Sequence, residues 1–529
     1  MHKYEKETFS CEGLMVRKNF IQGAFILLIS STIVRILGFI YQILIIRIIG
    51  TETIGLYNMV HPVFIMALVI ATAGLPLAVS KLVSRQMAYH NIKASLKILR
   101  IAIILLLISG ITITLVLLFI APYILNSLYK DPRIDLILYA MLPCITISAI
   151  SSALRGFFQG LQEMTPTAIT QCLEQITRIV FGIILAIKLQ SYGIQAVAVG
   201  LAISMLLGEL VGLFFLSLLY FRKKQSIIKL ARNNVCAHIN SSTVIFDLFS
   251  FGIPTTFTRL ISSISLMLEA SLLPLTLQKI GFTINQAAAM YGQFSGVSMT
   301  ILSVPTILTF SLAISLVPAI SEAEAQGKLS SLQFRTTESL RLTFLLGLPA
   351  VVALLFMPAE LSTLLFNIPE AGSTLRILGF GGIFLYLCQT SNGILQGLGL
   401  VNKIFINTTI GSLIKILGII YLASIPELNI NGAAIGFTVS YIVVCFLNLE
   451  VIRKSTGIEI KQKQIVLPII AALIMATSLI ISTLVLSPLF SKNMVTLISL
   501  VFSGLIYLIL VILWEQLHLN ILFTKKTKV

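Results

Sequence analysis

The chain has 529 residues, of which 57% are hydrophobic and 11% charged. Soluble domains carry about 25% charged residues, so long apolar runs with so few charges predict an all-α polytopic membrane protein. The net charge of +17 fits the excess of Lys and Arg in cytoplasmic loops. The basic residues outside the apolar runs are not interleaved with aromatic ones, which argues against a nucleic-acid partner.

The apolar runs predict about fourteen spanning helices, at about 20 residues for each span. Their ranges are 20–47, 58–80, 99–121, 136–158, 167–189, 194–220, 246–274, 287–313, 341–357, 374–397, 403–424, 430–452, 465–487 and 494–517. The first run is longer than the apolar core of a signal peptide, so we predict a spanning helix there.

Lys and Arg are concentrated in alternate connections and in both tails. The groups are Arg17 and Lys18; Lys81, Arg85, Lys93, Lys97 and Arg100; Arg222, Lys223, Lys224, Lys229 and Arg232; Arg453, Lys454, Lys461 and Lys463; and Lys525, Lys526 and Lys528. Because basic residues accumulate in cytoplasmic loops, we predict a multi-pass protein of the cell membrane with both termini in the cytoplasm.

Two stretches, 151–185 and 391–422, match at a constant offset of 237 residues. Gly156, Gln159, Gly160 and Leu161 recur as Gly393, Gln396, Gly397 and Leu398, and Arg178 falls on Lys415. Segment 194–200 also resembles 430–436. These matches predict two six-helix lobes in parallel repeat, related by an axis along the membrane normal, with a cavity between them.

The repeat divides the chain into predicted domains. They are an N-terminal cytoplasmic tail (1–18), an N-lobe of six helices (19–221), a basic cytoplasmic linker (222–245), a C-lobe of six helices (246–452), a cytoplasmic loop (453–464), two appended helices (465–518) and a basic tail (519–529).

Polar residues recur along the first helix of each predicted lobe. Charge inside a membrane is costly, so each charged group needs a partner or a water-filled cavity. The predicted cavity residues are Arg35, Gln42, Arg259, Ser262, Glu269, Tyr291 and Ser295. Arg35 and Arg259 would attract an anion, and the arginine fork suits phosphate. The alternative is that these arginines brace neighbouring helices or extend to the membrane surface.

The helix predicted over 167–189 has its own polar face of Gln171, Glu174, Gln175 and Arg178. Glu174 and Arg178 have the favourable order for an i,i+4 ion pair, so we predict a pair within this helix that holds it to its neighbours. Coupling to an ion is the alternative. Glu209 and Lys415 are further intramembrane charges with a structural or coupling role.

Several classes of function are excluded by missing motifs. The chain has no nucleotide-binding loop of the G-x-x-x-x-G-K-[ST] type and no nucleophile or metal motif. Its six cysteines form no C-x-x-C pair. We therefore predict neither an enzyme nor a cofactor, although transport could be coupled to an ion gradient or to the membrane potential.

A series of short stretches resembles the multidrug/oligosaccharidyl-lipid/polysaccharide exporter superfamily along nearly the full length. The stretches are Arg35-Ile-Leu-Gly-Phe39, Arg47-Ile-Ile-Gly50, Gly55-Leu-Tyr57, Gly74-Leu-Pro76, Ser80-Lys-Leu-Val83, Leu154-Arg-Gly-Phe-Phe-Gln-Gly160, Leu173-Glu-Gln175 with Arg178, and Leu316-Val-Pro-Ala-Ile-Ser-Glu322. The resemblance implies a V-shaped transporter of twelve core helices plus two. Arg35 matches the first arginine of the lipid II flippase branch, whereas Tyr41-Gln42 stands where that branch has an Arg-Asp pair.

The resemblance also implies a function. Its sporulation branch is the most similar one, which implies a flippase that moves an undecaprenyl-linked glycan, a cell-wall precursor, to the outer leaflet for spore cortex peptidoglycan, in the membranes around the forespore. The expected partners are this lipid-linked glycan and the bilayer. One alternative is a multidrug or cation antiporter of the same superfamily. Another is a non-transporting scaffold for cortex-synthesis enzymes.

Overall fold

The computed structural model describes the backbone of residues 2–89, 91–231, 240–458 and 462–526. These residues form helices joined by short turns, with no β-strand among them, which confirms the all-α class. The helices are α1 (His2–Thr72), α2 (Leu75–Ala88), α3 (Ile92–Leu128), α4 (Asp135–Gly160), α5 (Thr165–Leu189), α6 (Ile194–Ala231), α7 (Ser241–Lys279), α8 (Ile284–Gly292), α9 (Met299–Ser303), α10 (Thr306–Ala325), α11 (Leu329–Phe356), α12 (Pro358–Phe366), α13 (Ala371–Gly397), α14 (Val401–Leu417), α15 (Asn429–Thr456), α16 (Gln462–Leu486) and α17 (Lys492–Lys526). Parts of the predicted tails, of the linker 222–245 and of the loop 453–464 lie outside the described residues.

Twelve segments of the described chain are long and apolar enough to cross a membrane, as expected of a multi-pass membrane protein. The first segment, Phe25–Ala88, covers two of the predicted helices. It contains Gly50, whose φ of 77° and ψ of 176° interrupt the helical backbone. Helix α5 is not among the twelve; its polar face lowers its hydropathy. The predicted number of fourteen spans is therefore not confirmed.

The continuous helix predicted over 287–313 is wrong, because the structure interrupts it twice. Residues Gln293–Ser298 form a π-helical segment between α8 and α9. A turn at Val304 and Pro305 then separates α9 from α10. Proline lacks the backbone N–H that continues a helix, and a π-helical turn inserts one extra residue into the helical repeat. Neither feature changes the apolar character of the run, so hydropathy alone did not indicate them.

The chain divides into two compact units, Met1–Ser271 and Leu272–Val529, with the boundary inside α7. The predicted domain limits stay a prediction. In the N-terminal unit, buried side chains of α2, α3, α4, α6 and the first half of α7 form one core. Phe157 and Phe158 of α4 are fully buried there, and Leu248 of α7 packs in the same cluster. The start of α7 is thus part of the N-terminal core.

The repeated glycines occupy equivalent contacts in the two units. A Cβ atom on Gly156 would clash with the carbonyl oxygen of Pro76, and a Cβ on Gly393 would lie 2.7 Å from the carbonyl oxygen of Ala313. Pro76 and Ala313 are themselves 237 residues apart. Both glycines therefore allow α4 or α13 to approach the backbone of a neighbouring helix, which explains why a side chain is absent at both positions.

The C-terminal unit has two described cores. The first joins α10, α11, α13 and α15. The second places Ala472 and Met475 of α16 and Tyr507 of α17 against Val352 of α11. The Tyr507 hydroxyl donates a hydrogen bond of 2.9 Å to the Leu345 carbonyl. The appended helices α16 and α17 therefore pack on α11 rather than standing apart from the unit.

Candidate functional site

A polar cavity of about 250 Å³ lies inside the N-terminal unit. Its lining comes from α1, α4 and α5, and consists of Ser31, Val34, Arg35, Arg155, Gln171, Glu174, Gln175 and Arg178. Four of these are the polar face predicted on α5 from its i, i+3, i+4 and i+7 spacing. Three arginines and one glutamate line the cavity, so its wall is positively charged.

Helix α1 contributes Arg35 to the cavity wall. Ser31 and Arg35 are one turn apart and therefore share a helix face. The Ser31 hydroxyl donates to the Leu28 carbonyl at 2.9 Å, so its proton is used within α1. A Cβ on Gly38 would lie 3.6 Å from Gln175 Nε2, which shows that α1 approaches α5 closely here. Arg35 is half-buried beside this contact.

Helix α4 contributes Arg155, which forms an ion pair with Glu174 of α5 through Nη2 and Oε1. Gly212 of α6 also lies against this side chain, and a Cβ atom there would overlap Glu174 Oε1. The carboxylate is therefore in contact with both an arginine and a glycine. Only a residue without a side chain at position 212 leaves room for it.

Arg178 has a different partner from the one that the spacing predicts. Its Nη2 lies 4.0 Å from Oε1 of Glu209 in α6, and Glu174 pairs with Arg155. The predicted ion pair within α5 is therefore wrong. Both α5 charges are directed at neighbouring helices, where α4 supplies a cation and α6 an anion.

Several polar atoms around these pairs are buried and have no hydrogen-bond partner within the described part of the chain. They are Nε of Arg155, Nε of Arg178 and Oε2 of Glu209. Buried polar groups of folded proteins are nearly always hydrogen-bonded, to protein or to something bound. Two of the three atoms are donors on arginines that line the cavity. These two arginines therefore have hydrogen-bonding capacity that the described residues leave unused.

The other predicted residues of α1 and α7 lie outside the lining of this cavity. Gln42 is half-buried on α1, whereas Arg259 and Ser262 are exposed on α7. Glu269 is buried and accepts a hydrogen bond of 2.9 Å from the Ser265 hydroxyl, one turn earlier in α7. Arg35 is thus the member of the predicted set that the N-terminal cavity includes.

Tyr291 and Ser295 belong to the C-terminal unit. Tyr291 is buried in α8, and the Ser295 hydroxyl donates to its carbonyl at 2.8 Å. Ser295 lies in the π-helical segment. Segments of this kind are frequent at functional sites, because the inserted residue changes which side chains face a cavity. The assignment of Tyr291 and Ser295 to a substrate cavity stays a prediction.

The C-terminal unit has neutral residues at two positions where the N-terminal unit has charges. At the offset of 237, Asn392 corresponds to Arg155 and Gly411 to Glu174. Asn448 Nδ2 donates to Asn392 Oδ1 at 3.0 Å and to the Ser391 hydroxyl at 3.1 Å. Asn407 Nδ2 donates to Asn448 Oδ1 at 2.9 Å. This amide cluster joins α13, α14 and α15 without formal charge.

Lys415, the counterpart of Arg178, interacts with aromatic rings. Its Nζ lies 4.9 Å from the ring centroid of Phe437 and 5.8 Å from that of Tyr441. Both distances are within the range of cation–π attraction. The two rings are part of α15. The cation at this repeat position is therefore kept in both units, whereas the groups around it differ.

Arg155 was not predicted as a site residue, although it belongs to a stretch that carried the family resemblance. The available signal was its position near the end of an apolar run of α4, where a cation needs a partner. No other charge on α4 lies near it in sequence to form a polar face.

Among the described residues, no group of three or more His, Cys, Asp or Glu side chains could hold a metal ion.

The twelve described segments of spanning length define a multi-pass membrane protein, and a charged cavity lined by α1, α4 and α5 is typical of the transporter class. Residues 20–324 match the family model described as polysaccharide biosynthesis protein, and residues 294–421 match the MatE model. The chain belongs to the polysaccharide biosynthesis protein family, within the multidrug/oligosaccharidyl-lipid/polysaccharide exporter superfamily. It is a transport protein and not an enzyme.

Individual relatives agree with this assignment. The chain is 33% identical over 450 residues to Stage V sporulation protein B of Bacillus subtilis, covering 85% of this chain and 86% of that protein. It is 26% identical over 478 residues to Lipid II flippase MurJ of Bacillus subtilis, covering 86% and 87%. The solved inward closed structure of Lipid II flippase MurJ is similar in fold, with a TM-score of 0.68, 17% identity, and coverage of 92% and 98%. The predicted resemblance to the superfamily is confirmed.

Proposed function

We propose that this protein is a flippase that moves an undecaprenyl-linked cell-wall precursor from the cytoplasmic to the outer leaflet of the cell membrane. The observation that supports this proposal is the cavity lined by Arg35, Arg155 and Arg178 among membrane-spanning helices. The similarity to a lipid II flippase supports the substrate class. The similarity to Stage V sporulation protein B supports a role in spore cortex synthesis, in the membranes around the forespore.

The diphosphate of such a precursor matches the chemistry of the cavity. Arginine binds phosphate oxygens in pairs through its planar fork. Several arginines with one carboxylate leave positive charge that an anionic headgroup neutralises, which offsets part of the cost of holding charge inside a membrane. In this proposal Gln171 and Gln175 donate and accept hydrogen bonds with the glycan, and the lipid tail stays in the bilayer.

The proposal also includes three predictions from the sequence, which concern Arg259, the two lobes and the position of the termini. Arg259 of α7 provides a second contact to the diphosphate, together with Arg35. The two lobes comprise residues 19–221 and 246–452. Both termini are in the cytoplasm, which the distribution of basic residues supports. Fusion of a reporter that is active only in the cytoplasm to either end tests the orientation: an inactive fusion contradicts it.

Reconstitution into lipid vesicles tests the flippase activity. The vesicles contain a fluorescent lipid-linked muropeptide, and a quencher that cannot cross the membrane is added outside. We expect the wild-type protein to make the inner-leaflet label accessible to the quencher. We expect Arg155→Ala to abolish this transfer and Arg453→Ala, at an exposed ion pair of α15, to retain it. Equal accessibility in protein-free and wild-type vesicles contradicts the proposal.

A multidrug or cation antiporter is the second candidate, because residues 294–421 match the MatE model. Lys415 lies in this segment, facing Phe437 and Tyr441. An aromatic surface also attracts organic cations, but here a lysine already occupies it. Expression in a drug-sensitive host decides between the two: efflux of cationic dyes without transfer of the lipid-linked muropeptide favours the antiporter.

A further inference from the structure

Glu174 is the one carboxylate among the residues that line the cavity of the N-terminal unit. Its position is fixed by contacts with Arg155 of α4 and Gly212 of α6. It is 7% exposed, so water does not compete strongly for its charge. An anion that enters the cavity and approaches Arg155 therefore meets a carboxylate that already occupies part of this arginine.

Arg155 is only partly used by Glu174. The structure gives it one ionic hydrogen bond, through Nη2. Its Nε is buried without a partner among the described residues. A guanidinium has five N–H donors in a planar fork, and a phosphate with several free oxygens can use two of them in parallel. A ligand whose phosphates bond to Arg155 and to a second arginine of the cavity at the same time can thus displace Glu174, because it gains more than the single hydrogen bond that the carboxylate makes.

The displaced carboxylate has a second cation within reach. Arg178 follows Glu174 by four residues on α5, the spacing and order at which the two side chains can pair. In the present structure Arg178 is 4.0 Å from Glu209, and no described residue accepts a hydrogen bond from its buried Nε. Glu174 can therefore exchange Arg155 for Arg178, which then lies between the carboxylates of Glu174 and Glu209.

From this arrangement we propose that Glu174 is an internal competitor of the substrate that makes the cavity selective for a diphosphate over a single phosphate. Without substrate, Glu174 occupies Arg155. With a lipid-linked diphosphate bound, Arg35 and Arg155 hold the phosphates and Glu174 turns to Arg178. A single phosphate has only one group to share between the two arginines, so it gains less and is held out by the carboxylate. The inference rests on the proposed function, because it concerns the same cavity.

Charge balance explains why such a competitor is useful inside a membrane. In the substrate-free protein, a desolvated arginine without a counter-ion lowers the stability of the fold. The Glu174 carboxylate supplies that counter-ion in the empty state. It also sets a threshold, since only a ligand that binds Arg155 more strongly than the carboxylate does can enter. Selectivity then depends on a repulsive element as well as on attraction.

The test compares two short lipids with the same tail, farnesyl diphosphate and farnesyl monophosphate. Their affinities are measured for the full chain in lipid nanodiscs, for wild type, Glu174→Gln and Glu52→Gln. Both substitutions remove one negative charge and one partner of an arginine in the N-terminal unit, but Glu52, which pairs with Arg133, does not line the cavity, which makes Glu52→Gln the matched control. Because both ligands partition into the membrane through the same tail, the ratio of their affinities isolates the headgroup.

We expect wild type to prefer the diphosphate. In Glu174→Gln the monophosphate should bind more tightly, and the preference should fall about tenfold, the effect of about one charge-assisted hydrogen bond. Glu52→Gln should keep the wild-type preference. Glu174→Asp, which shortens the side chain and keeps the charge, should reduce the preference by less, and it serves as the second variant if Glu174→Gln does not fold.

The outcomes separate the two proposals. If wild type binds the diphosphate and neither Glu174 variant changes the preference, Glu174 is only a structural partner of Arg155 and the inference is overturned. An equal change in Glu52→Gln overturns it as well, because the effect is then one of net charge. Failure of wild type to bind either lipid contradicts the proposed function itself.

Discussion

Arg155 of α4 donates to the carboxylate of Glu174 in α5, although Arg178 lies one turn from Glu174 on the same helix. The pair joins two helices that a short turn connects, and both of its members line the polar cavity of the N-terminal unit. It therefore has two consequences that can be separated by experiment, one for the stability of the N-terminal unit and one for ligand binding.

Arg155→Ala is predicted to destabilise the protein, because the two buried carboxylates Glu174 and Glu209 then have to share one cation, Arg178. Breaking one partner of a buried pair costs about 3 kcal/mol or more. The double variant Arg155→Ala with Glu174→Gln should recover much of this loss, since no unpaired charge remains. Thermal unfolding in detergent measures both. A double variant that is as unstable as Arg155→Ala alone contradicts the explanation.

Gly212→Ala is predicted to lower Tm, because the added methyl group would overlap the Glu174 carboxylate. Overpacking costs about 1–3 kcal/mol, whereas replacing a helical glycine by alanine gains at most about 1 kcal/mol. Gly504 of α17 is the matched control, since a Cβ there has no described atom within 4 Å. Gly504→Ala should leave Tm unchanged or raise it. The same response at both positions would argue against the close contact.

Gly156→Ala and Gly393→Ala are predicted to destabilise the protein to a similar degree, of about 1–3 kcal/mol. In each case the obstacle is a backbone oxygen of a packed helix, which a rotamer change cannot move. Gly38→Ala is the comparison, because its nearest atom is the end of the Gln175 side chain, at 3.6 Å. A large loss of Tm in Gly38→Ala and none in the other two would contradict the packing.

Asn448→Ala is predicted to destabilise the C-terminal unit by about 2 kcal/mol, because its partners Asn392 and Asn407 lose buried hydrogen bonds. Asn402→Ala, at an exposed position of α14, should have no measurable effect. The affinity for farnesyl diphosphate should stay at the wild-type value in both variants, since the proposed diphosphate site is in the other unit. Loss of this affinity in a folded Asn448→Ala protein would place the site elsewhere.

Arg259→Ala tests the second arginine of the functional hypothesis. If Arg259 contacts the diphosphate, transfer of the labelled muropeptide should fall about tenfold, the effect of losing one ionic hydrogen bond. Lys279→Ala removes a cation from the exposed end of the same helix and should retain activity. If the Arg259→Ala protein is fully active, Arg259 does not belong to the substrate site. The cavity of the N-terminal unit then remains as the proposed site.

Much of the architecture follows from the sequence, because its signals are local. Apolar runs of membrane length specify helices whatever they pack against, since the bilayer requires every backbone group to be bonded within the segment. The offset of 237 residues relates Gly156 to Gly393, and the structure adds that their backbone contacts, Pro76 and Ala313, obey the same offset. The polar face of α5 was also predictable, because helical periodicity alone decides which side chains share a face.

Only the tertiary structure decided the partners of those side chains. Spacing shows that Glu174 and Arg178 can meet, but the choice between partners depends on what neighbouring helices bring near, and α4 brings Arg155 while α6 brings Glu209. Sequence comparison of the repeats shows that Asn392 and Gly411 replace Arg155 and Glu174, but only the structure shows that the charges of one unit line a cavity and that Asn392 of the other joins an amide cluster. Ion pairs between helices depend on the distance and direction of side chains far apart in the chain, and a periodic pattern along one helix contains neither.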